Sequence, residues 1–305
     1  MLLMDRIRRR LRSNAARLDR LNAAIPARGN RLATYTADRA RLFYDAGFTP
    51  DPWQAGLLRS ADRMNLILCA RQVGKSLTVS ILALATAFTK PGSTSVIIAP
   101  VQPQASELLR KVTNAFYRCG QPIGIIREGA TYVEFANRSR IIALPGKERS
   151  VHSYTADGAL ILEEAARIPD EVFAAASPQL SVSNGTMYAL STAFAKSGWF
   201  YREWEEGQGY RRWSITAKEC PRHSETFLAA ERRRLGERWF AMAYLNKFGD
   251  DMAAVFRSED IKRAFTNTIQ PLDDFDRDGA LSFEPPAPLF AAGVLDSTLT
   301  TLEGF

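Results

Sequence analysis

Cys69-Ala70-Arg71-Gln72-Val73-Gly74-Lys75-Ser76 lies between an apolar run, Asn65 to Cys69, and a helical pattern, Leu77 to Phe88. The order strand, tight loop, Gly-Lys-Ser, helix is the setting in which such a tail cradles phosphate. Backbone N–H groups of Arg71, Gln72, Val73 and Gly74 and of the helix start then point at an anion, and the helix dipole adds to them. Lys75 is expected to reach the β- and γ-phosphates of ATP, and Ser76 to offer its hydroxyl to Mg²⁺. The usual pattern opens on glycine, and Cys69 stands there instead. The alternative is a turn with a solvated lysine.

Two later stretches add to that loop. In Gly158-Ala159-Leu160-Ile161-Leu162-Glu163-Glu164 an apolar run ends in two carboxylates, the pattern of a buried strand whose C-terminal end meets a ligand. Glu163 is placed to hold the Mg²⁺ shell, and Glu164 to orient and deprotonate an attacking water. The bland alternative is a solvated strand end. Thr186 to Ala193 is another apolar strand, ending in Ser191 and Thr192, hydroxyls that can sense a γ-phosphate from a neighbouring strand. Upstream, Gly47-Phe48-Thr49-Pro50-Asp51-Pro52-Trp53-Gln54 holds the backbone extended before a helix of about ten residues. Trp53 can pack on an adenine and the Gln54 amide can donate and accept along its edge. Trp53 can equally be core.

Strand and helix patterns alternate from Asn65 onward, with a second strand at Thr94–Pro100 and the turn Pro91-Gly92 before it. That βαβ unit implies an α/β fold with a mainly parallel sheet flanked by helices. Gln104 to Cys119 reads as a helix with Leu108, Leu109, Val112 and Phe116 on its apolar side. Ile123–Arg127, Tyr132–Ala136 and Arg140–Leu144 read as a meander inserted beside the sheet. One helix is expected between Pro169 and Asn184, and further helices over Gly198–Glu206 and Phe227–Phe248.

The chain has 305 residues, is 46% hydrophobic and 24% charged, which suits one large or two smaller globular domains. Cys69, Cys119 and Cys220 are odd in number and far apart, and read as reduced thiols of a cytosolic protein. Cys220-Pro-Arg-His223 has half the spacing of a zinc site, but the chain has only two histidines. No apolar run reaches the length of a membrane span. Residues 1–50 hold eleven arginines and four aspartates, an excess of seven that equals the +7 of the whole chain. A basic arm on a neutral body suits a polyanion or an acidic partner. Met4, Ile7, Leu11, Asn14, Leu18, Leu21 and Ile25 step by three and four, a heptad seam. It reads either as a helix docked on its own domain or as one that pairs with another chain. Gly29-Asn30 is expected to break it, with a short helix over Ala37–Ala46.

Together, P-W-Q at Pro52, A-R-Q-V-G-K-S at Ala70, S-R-I-I-A-L-P-G at Ser139, E-E-A-A-R-I-P at Glu163, L-S-T-A-F at Leu190, G-W-F-Y-R-E-W at Gly198 and L-G-E-R-W-F at Leu235 resemble the large terminase subunit of tailed bacteriophages. The likeness runs from about Phe48 to Asp251. It implies a P-loop NTPase core of the additional-strand, catalytic-glutamate (ASCE, RecA-like) type over 48–251, behind a basic helical arm at 1–47. The implied function is an Mg²⁺-dependent ATPase motor that packages double-stranded DNA in the host cytoplasm. It would work as a homo-oligomeric ring on the portal protein, with the small terminase subunit as partner.

By the same resemblance Gln54 matches the adenine-reading glutamine, Glu164 the catalytic glutamate, and Ser191-Thr192-Ala193 the coupling motif. Arg71 matches a loop arginine that contacts the γ-phosphate in cis, or else it forms a salt bridge under the loop. Three departures stand out. Glu163 replaces the usual Asp, and a methylene moves a carboxylate by about 1 Å, a misplacement on the scale that can cost roughly 10²-fold in rate. His152-Ser153 replaces an Arg-Gly pair. The expected nuclease domain would open near Ala291–Asp296 and stops at Phe305, so 252–305 reads as linker and remnant with no cleavage activity. The competing readings are an ATP-dependent helicase-like enzyme and a catalytically weak fragment that binds DNA or partners.

Overall fold

A computed structural model of the chain describes residues 25–147 and 154–250. The expected seam over Met4–Leu21, the His152-Ser153 departure and the reading of 252–305 lie outside those residues. Three helices lead in: α1 (Ile25–Ala37), α2 (Arg41–Asp45) and α3 (Pro52–Arg59). There follow β1 (Met64–Cys69), α4 (Lys75–Thr89), β2 (Thr94–Ala99), α5 (Gln102–Arg118), β3 (Ile125–Glu128), β4 (Tyr132–Phe135), β5 (Arg140–Pro145) and β6 (Ala159–Glu163). After two short helices, α6 (Asp170–Ala176) and α7 (Pro178–Ser183), come β7 (Thr186–Ser191), α8 (Gly198–Glu205), β8 (Arg211–Ile215) and α9 (Glu225–Tyr244).

All the strands join one sheet in the order β3-β4-β5-β2-β6-β7-β1-β8. It is parallel from β5 to β8 and antiparallel across β3, β4 and β5. The α/β, mainly parallel architecture therefore stands as expected. Strand side chains alternate between faces, and both faces are covered. Ile67, Cys69, Ile97, Ile161 and Leu190 point into a core shared with α1–α5 and α9, and Leu66, Leu68, Ile98, Leu162 and Ala189 into one shared with α6–α8. Continuous apolar runs such as Leu160-Ile161-Leu162 are what two-sided burial demands. Register pairs Leu68 with Ser191 and Glu163 with Leu190, which brings the C-terminal tips of β1, β7 and β6 to one edge.

Four expectations are corrected. α1 runs straight through Gly29-Asn30. A helical glycine costs only about 1 kcal/mol, and α1 is held by the fully buried Tyr35, which stacks on Phe88 at 5.8 Å and donates its hydroxyl to Asp45 at 2.9 Å. The three short strands do form the expected antiparallel meander, but it extends the sheet rather than lying beside it, because β5 pairs with β2 in parallel over Thr94–Ala99. Pro178 ends the helix expected between Pro169 and Asn184 and starts a second one; Ser177 keeps helical backbone, but proline has no N–H to continue the ladder of the first helix. Finally, β8 was not expected: Arg211-Arg212-Trp213-Ser214-Ile215 is an edge strand, mostly exposed, with little apolar signal.

Candidate functional site

β1 ends at Cys69, whose side chain is core and whose thiol burial pushes up. The first-glycine position is thus still strand, and the turning is done later. Ala70 N–H donates to Ile215 O and Arg71 N–H to Ala243 O, both at 2.8 Å, which ties the loop to β8 and to the end of α9. Gln72 at φ 60° and Gly74 at φ 94° then take left-handed backbone, folding N–H groups into a concavity that suits an anion. A Cβ on Gly74 would sit 2.9 Å from Gln54 Nε2. Lys75 opens α4 and is buried.

The two carboxylates meet this loop from β6. Ser76 donates to Glu163 Oε1 at 3.1 Å, and Lys75 Nζ lies 3.8 Å from Glu164 Oε1. Glu164 is in left-handed backbone at φ 54°, a strained conformation that persists only where surroundings impose it. β7 supplies those surroundings. Ser191, fully buried, accepts the Ala166 N–H at 3.1 Å, and the Thr192 hydroxyl lies 3.4 Å from Glu164 Oε2. Ser191 is thereby committed to the turn after Glu164, whereas Thr192 faces the cleft.

Glu163 is 5% exposed, and its Oε2 is buried with no hydrogen-bond partner. Burial pushes its carboxyl up to about 7; Lys75 opposes that and the Glu164 charge reinforces it. A buried carboxylate oxygen left unpaired beside a serine hydroxyl is a donor set that a hard divalent cation satisfies. The pair Ser76 and Glu163 thus fits Mg²⁺. The extra methylene of Glu163 leaves its carboxylate within reach of Ser76.

Three cavities open on these groups. The largest, about 520 Å³, runs from Gly74, Lys75, Ser76 and Leu77 to Phe48, Lys111, Asn114, Ala115 and Arg118. A second, about 320 Å³, is lined by Arg71, Gln72, Lys75, Gln104, Glu164, Arg167 and Thr192. A third, about 150 Å³, lies between Ser76, Glu163 and Glu164 on one side and Gln104, Glu107 and Lys111 on the other. Arg71 is exposed on the second cavity and makes no ion pair within 4 Å among the described residues, although, after the hydrogen bond from Arg234, its charge helps to hold the Glu231 carboxyl down.

Gln54 does not face any of these spaces. It is 3% exposed, its Oε1 accepts the Asp51 N–H at 2.8 Å, and its Nε2 donates to Thr78 Oγ1 at 2.8 Å. Both ends of the amide are used inside the chain, between the cap of α3 and the base of the phosphate loop. Trp53 is half-buried against the core and Val73 is fully buried. Arg222 completes this strut, gripping Asp51 at 2.9 and 2.7 Å and donating to Val73 O at 3.1 Å. His223 stacks on Phe227 and meets Tyr244 edge-on.

Sequence reasoning missed the contribution of α5. Gln104, Lys111, Asn114 and Arg118 line the cavities from the helix face opposite Leu109, Val112 and Phe116. Their spacing of seven, three and four was a readable stripe. Arg167, three residues beyond Glu164, was likewise passed over.

Comparison with known proteins matches residues 66–263 to the family described as terminase large subunit, T4likevirus-type, N-terminal. The terminase large subunit of Thermus virus P23-45 is 31% identical over 185 residues, covering 53% of this chain and 37% of that protein. The terminase large subunit of Thermus phage G20c is 30% identical over 185 residues with the same shares. The chain therefore spans little more than a third of the length of these curated relatives. Among solved structures, the large terminase ATPase domain of Thermus phage P74-26 superposes with a TM-score of 0.61 at 22% identity, over 68% of this chain and 97% of that one. The large terminase of another thermophilic bacteriophage, in complex with ADP, gives 0.56 at 12% identity, over 65% and 54%. The shared fold is that of the P-loop ATPase domains of large terminases.

Proposed function

This chain belongs to the terminase large subunit family, T4likevirus-type N-terminal, and from that premise we propose that it is the ATP-hydrolysing part of a phage DNA-packaging motor. The observation that carries the reading is the pair of contacts Ser76–Glu163 at 3.1 Å and Lys75–Glu164 at 3.8 Å. They bring a phosphate-binding turn, a cation-holding pair and a candidate base together at one sheet edge.

In this reading Lys75 exchanges its partner Glu164 for the β- and γ-phosphates. That frees the Glu164 carboxylate to orient and accept a proton from the attacking water. Ser76 and Glu163 would hold Mg²⁺, which when bound neutralises phosphate charge. Arg71, Arg167 and Gln104 line the cavity beyond Lys75 and would meet the γ-phosphate as charge moves onto the leaving group. Thr192, touching Glu164, would report the state of that end to β7 and α8. Gln72, Val73 and Gly74 contribute backbone N–H groups, while Gln54, Trp53 and Ser191 act by supporting the loop and the Glu164 turn.

Double-stranded DNA as substrate, the small subunit and portal as partners, a homo-oligomeric ring and a bacterial cytoplasmic setting are part of this proposal, and the resemblance to large terminases supports them. No helix among the described residues is long and apolar enough to cross a membrane. The test is ATP hydrolysis with and without double-stranded DNA, native chain against Glu164→Gln. Loss of turnover with retained nucleotide binding is expected; turnover unaffected by the substitution refutes the assignment of the base.

A further inference from the structure

We propose that Lys111 is a second phosphate-binding lysine of this site, which reaches the nucleotide from α5 and holds the β-phosphate that leaves with ADP. The proposal rests on the nucleotide-site reading above and assigns a residue to the leaving group, behind the γ-phosphate.

The cavities divide the ligand between them. Arg71, Gln72, Arg167 and Thr192 surround the space beyond Lys75 and Glu164, where the γ-phosphate would be attacked. Lys111 does not line that space. It lines the cavity of about 520 Å³ that leaves Gly74, Lys75, Ser76 and Leu77, and the cavity of about 150 Å³ in which α5 faces Ser76, Glu163 and Glu164. Ser76 and Glu164 are the other residues that border both. A side chain at that junction meets the phosphate chain where it runs back from the γ end, at the β-phosphate. The stem of Lys111 is anchored, because α5 is packed through the buried Leu109, Val112 and Phe116.

The charge of Lys111 is also uncommitted. Glu107 lies one turn before it on α5, the order and spacing in which a glutamate and a lysine pair. Arg110 takes that carboxylate instead, at 2.8 and 2.7 Å. Lys111 makes no hydrogen bond and no ion pair within 4 Å among the described residues. It is half-buried, and a charge held partly out of water attracts a phosphate oxygen more strongly than one at the open surface. Its field reaches the cation-holding pair: burial pushes the Glu163 carboxyl up, and Lys75 and Lys111 are among the groups that oppose it. On hydrolysis the water oxygen bonds to the γ-phosphorus as the bond to the β–γ bridging oxygen breaks. The water proton passes to Glu164, and the electron pair of the broken bond stays on the ADP β-phosphate. A cation there stabilises that charge as it develops, and holds ADP afterwards.

The test is calorimetric titration of the full chain with Mg·ATP, Mg·ADP and inorganic tripolyphosphate, beside single-turnover hydrolysis. Lys111→Met keeps the apolar stem and removes the charge. It is expected to weaken all three ligands by about tenfold, the scale of one charge-assisted hydrogen bond, and to slow hydrolysis of bound ATP by about tenfold. Lys111→Arg is expected to recover most of both losses, which a role of the stem in packing alone would not do. ATP weakened with ADP unchanged would put Lys111 at the γ-phosphate and overturns the proposal. A loss confined to the two nucleotides, with tripolyphosphate unchanged, overturns it as well, as does native affinity for all three ligands in the methionine variant. If the native chain binds none of the three, or if Lys75→Ala binds them as well as native, the nucleotide-site reading itself fails.

Discussion

Replacing Gln54 by alanine separates two roles that give opposite readouts. In the structure the side chain is 3% exposed and bridges Asp51 N–H and Thr78 Oγ1, both at 2.8 Å. Each such bond contributes about 1 kcal/mol net, and a buried donor left unpaired costs about 1–3 kcal/mol more. Asp51 N–H would be that donor; Thr78 keeps its bond to Gly74 O at 3.0 Å. The expected loss is therefore about 3 kcal/mol, or about 6–12 °C in melting temperature for a domain of this size. Because Gly74 would lie 2.9 Å from the lost amide had it a Cβ, the loop also loses a wall, and tripolyphosphate affinity should fall together with ATP affinity. Urea denaturation and calorimetry on Gln54→Ala measure both quantities. Stability within 0.5 kcal/mol of native, with ATP weakened and tripolyphosphate untouched, would falsify the strut role and restore Gln54 as a base reader.

Arg222→Ala should destabilise the chain by about 2 kcal/mol in urea. Removing one partner of a buried pair costs about 3–5 kcal/mol, and half-exposure of the arginine screens part of it, while Asp51 itself is 7% exposed. An effect below 0.5 kcal/mol would mean that water replaces the guanidinium. Gly74→Ala should leave the fold intact yet cut tripolyphosphate binding at least about tenfold, since alanine at φ 94° costs about 1–2 kcal/mol and its Cβ crowds Gln54. Native-like binding by that variant would show that the loop relaxes. All three cysteines are buried, and burial pushes the Cys69 thiol up and the Cys119 thiol up to about 12, so those two form no reactive thiolate near pH 8, while packing shields Cys220 from reagent. Ellman's reagent should label no thiol in the native chain and all three in denaturant; one fast native thiol contradicts the packing around it.

Much of the site was legible because its signals are local. Leu66 to Leu68, Leu160 to Leu162 and Tyr188 to Leu190 are short apolar runs bounded by turn chemistry, and such runs become two-sided strands wherever they land in a sheet. Gly74-Lys75-Ser76 and Glu163-Glu164 sit at strand ends, so their meeting required only that β1 and β6 share an edge. β8 and the second helix at Pro178 were missed for the opposite reason. One has almost no apolar residues of its own and is held by β1; the other has a break whose cost is set by a single proline.

By itself the order of residues determined that a parallel α/β sheet would carry a Gly-Lys-Ser turn opposite two carboxylates, because backbone periodicity and loop chemistry are properties of neighbours. Which polar groups remain free to meet a ligand was decided only in three dimensions. Gln54 and Ser191 have the right chemistry for a nucleotide, yet each finds a buried partner elsewhere in the chain, Gln54 at Thr78 and Ser191 at Ala166. Asn114, Arg118 and Arg167 looked like ordinary surface residues, and the packing of α5 and the turn after Glu164 brought them to the cleft. A side chain's hydrogen-bonding capacity is finite, and only tertiary contact shows where it has already been used.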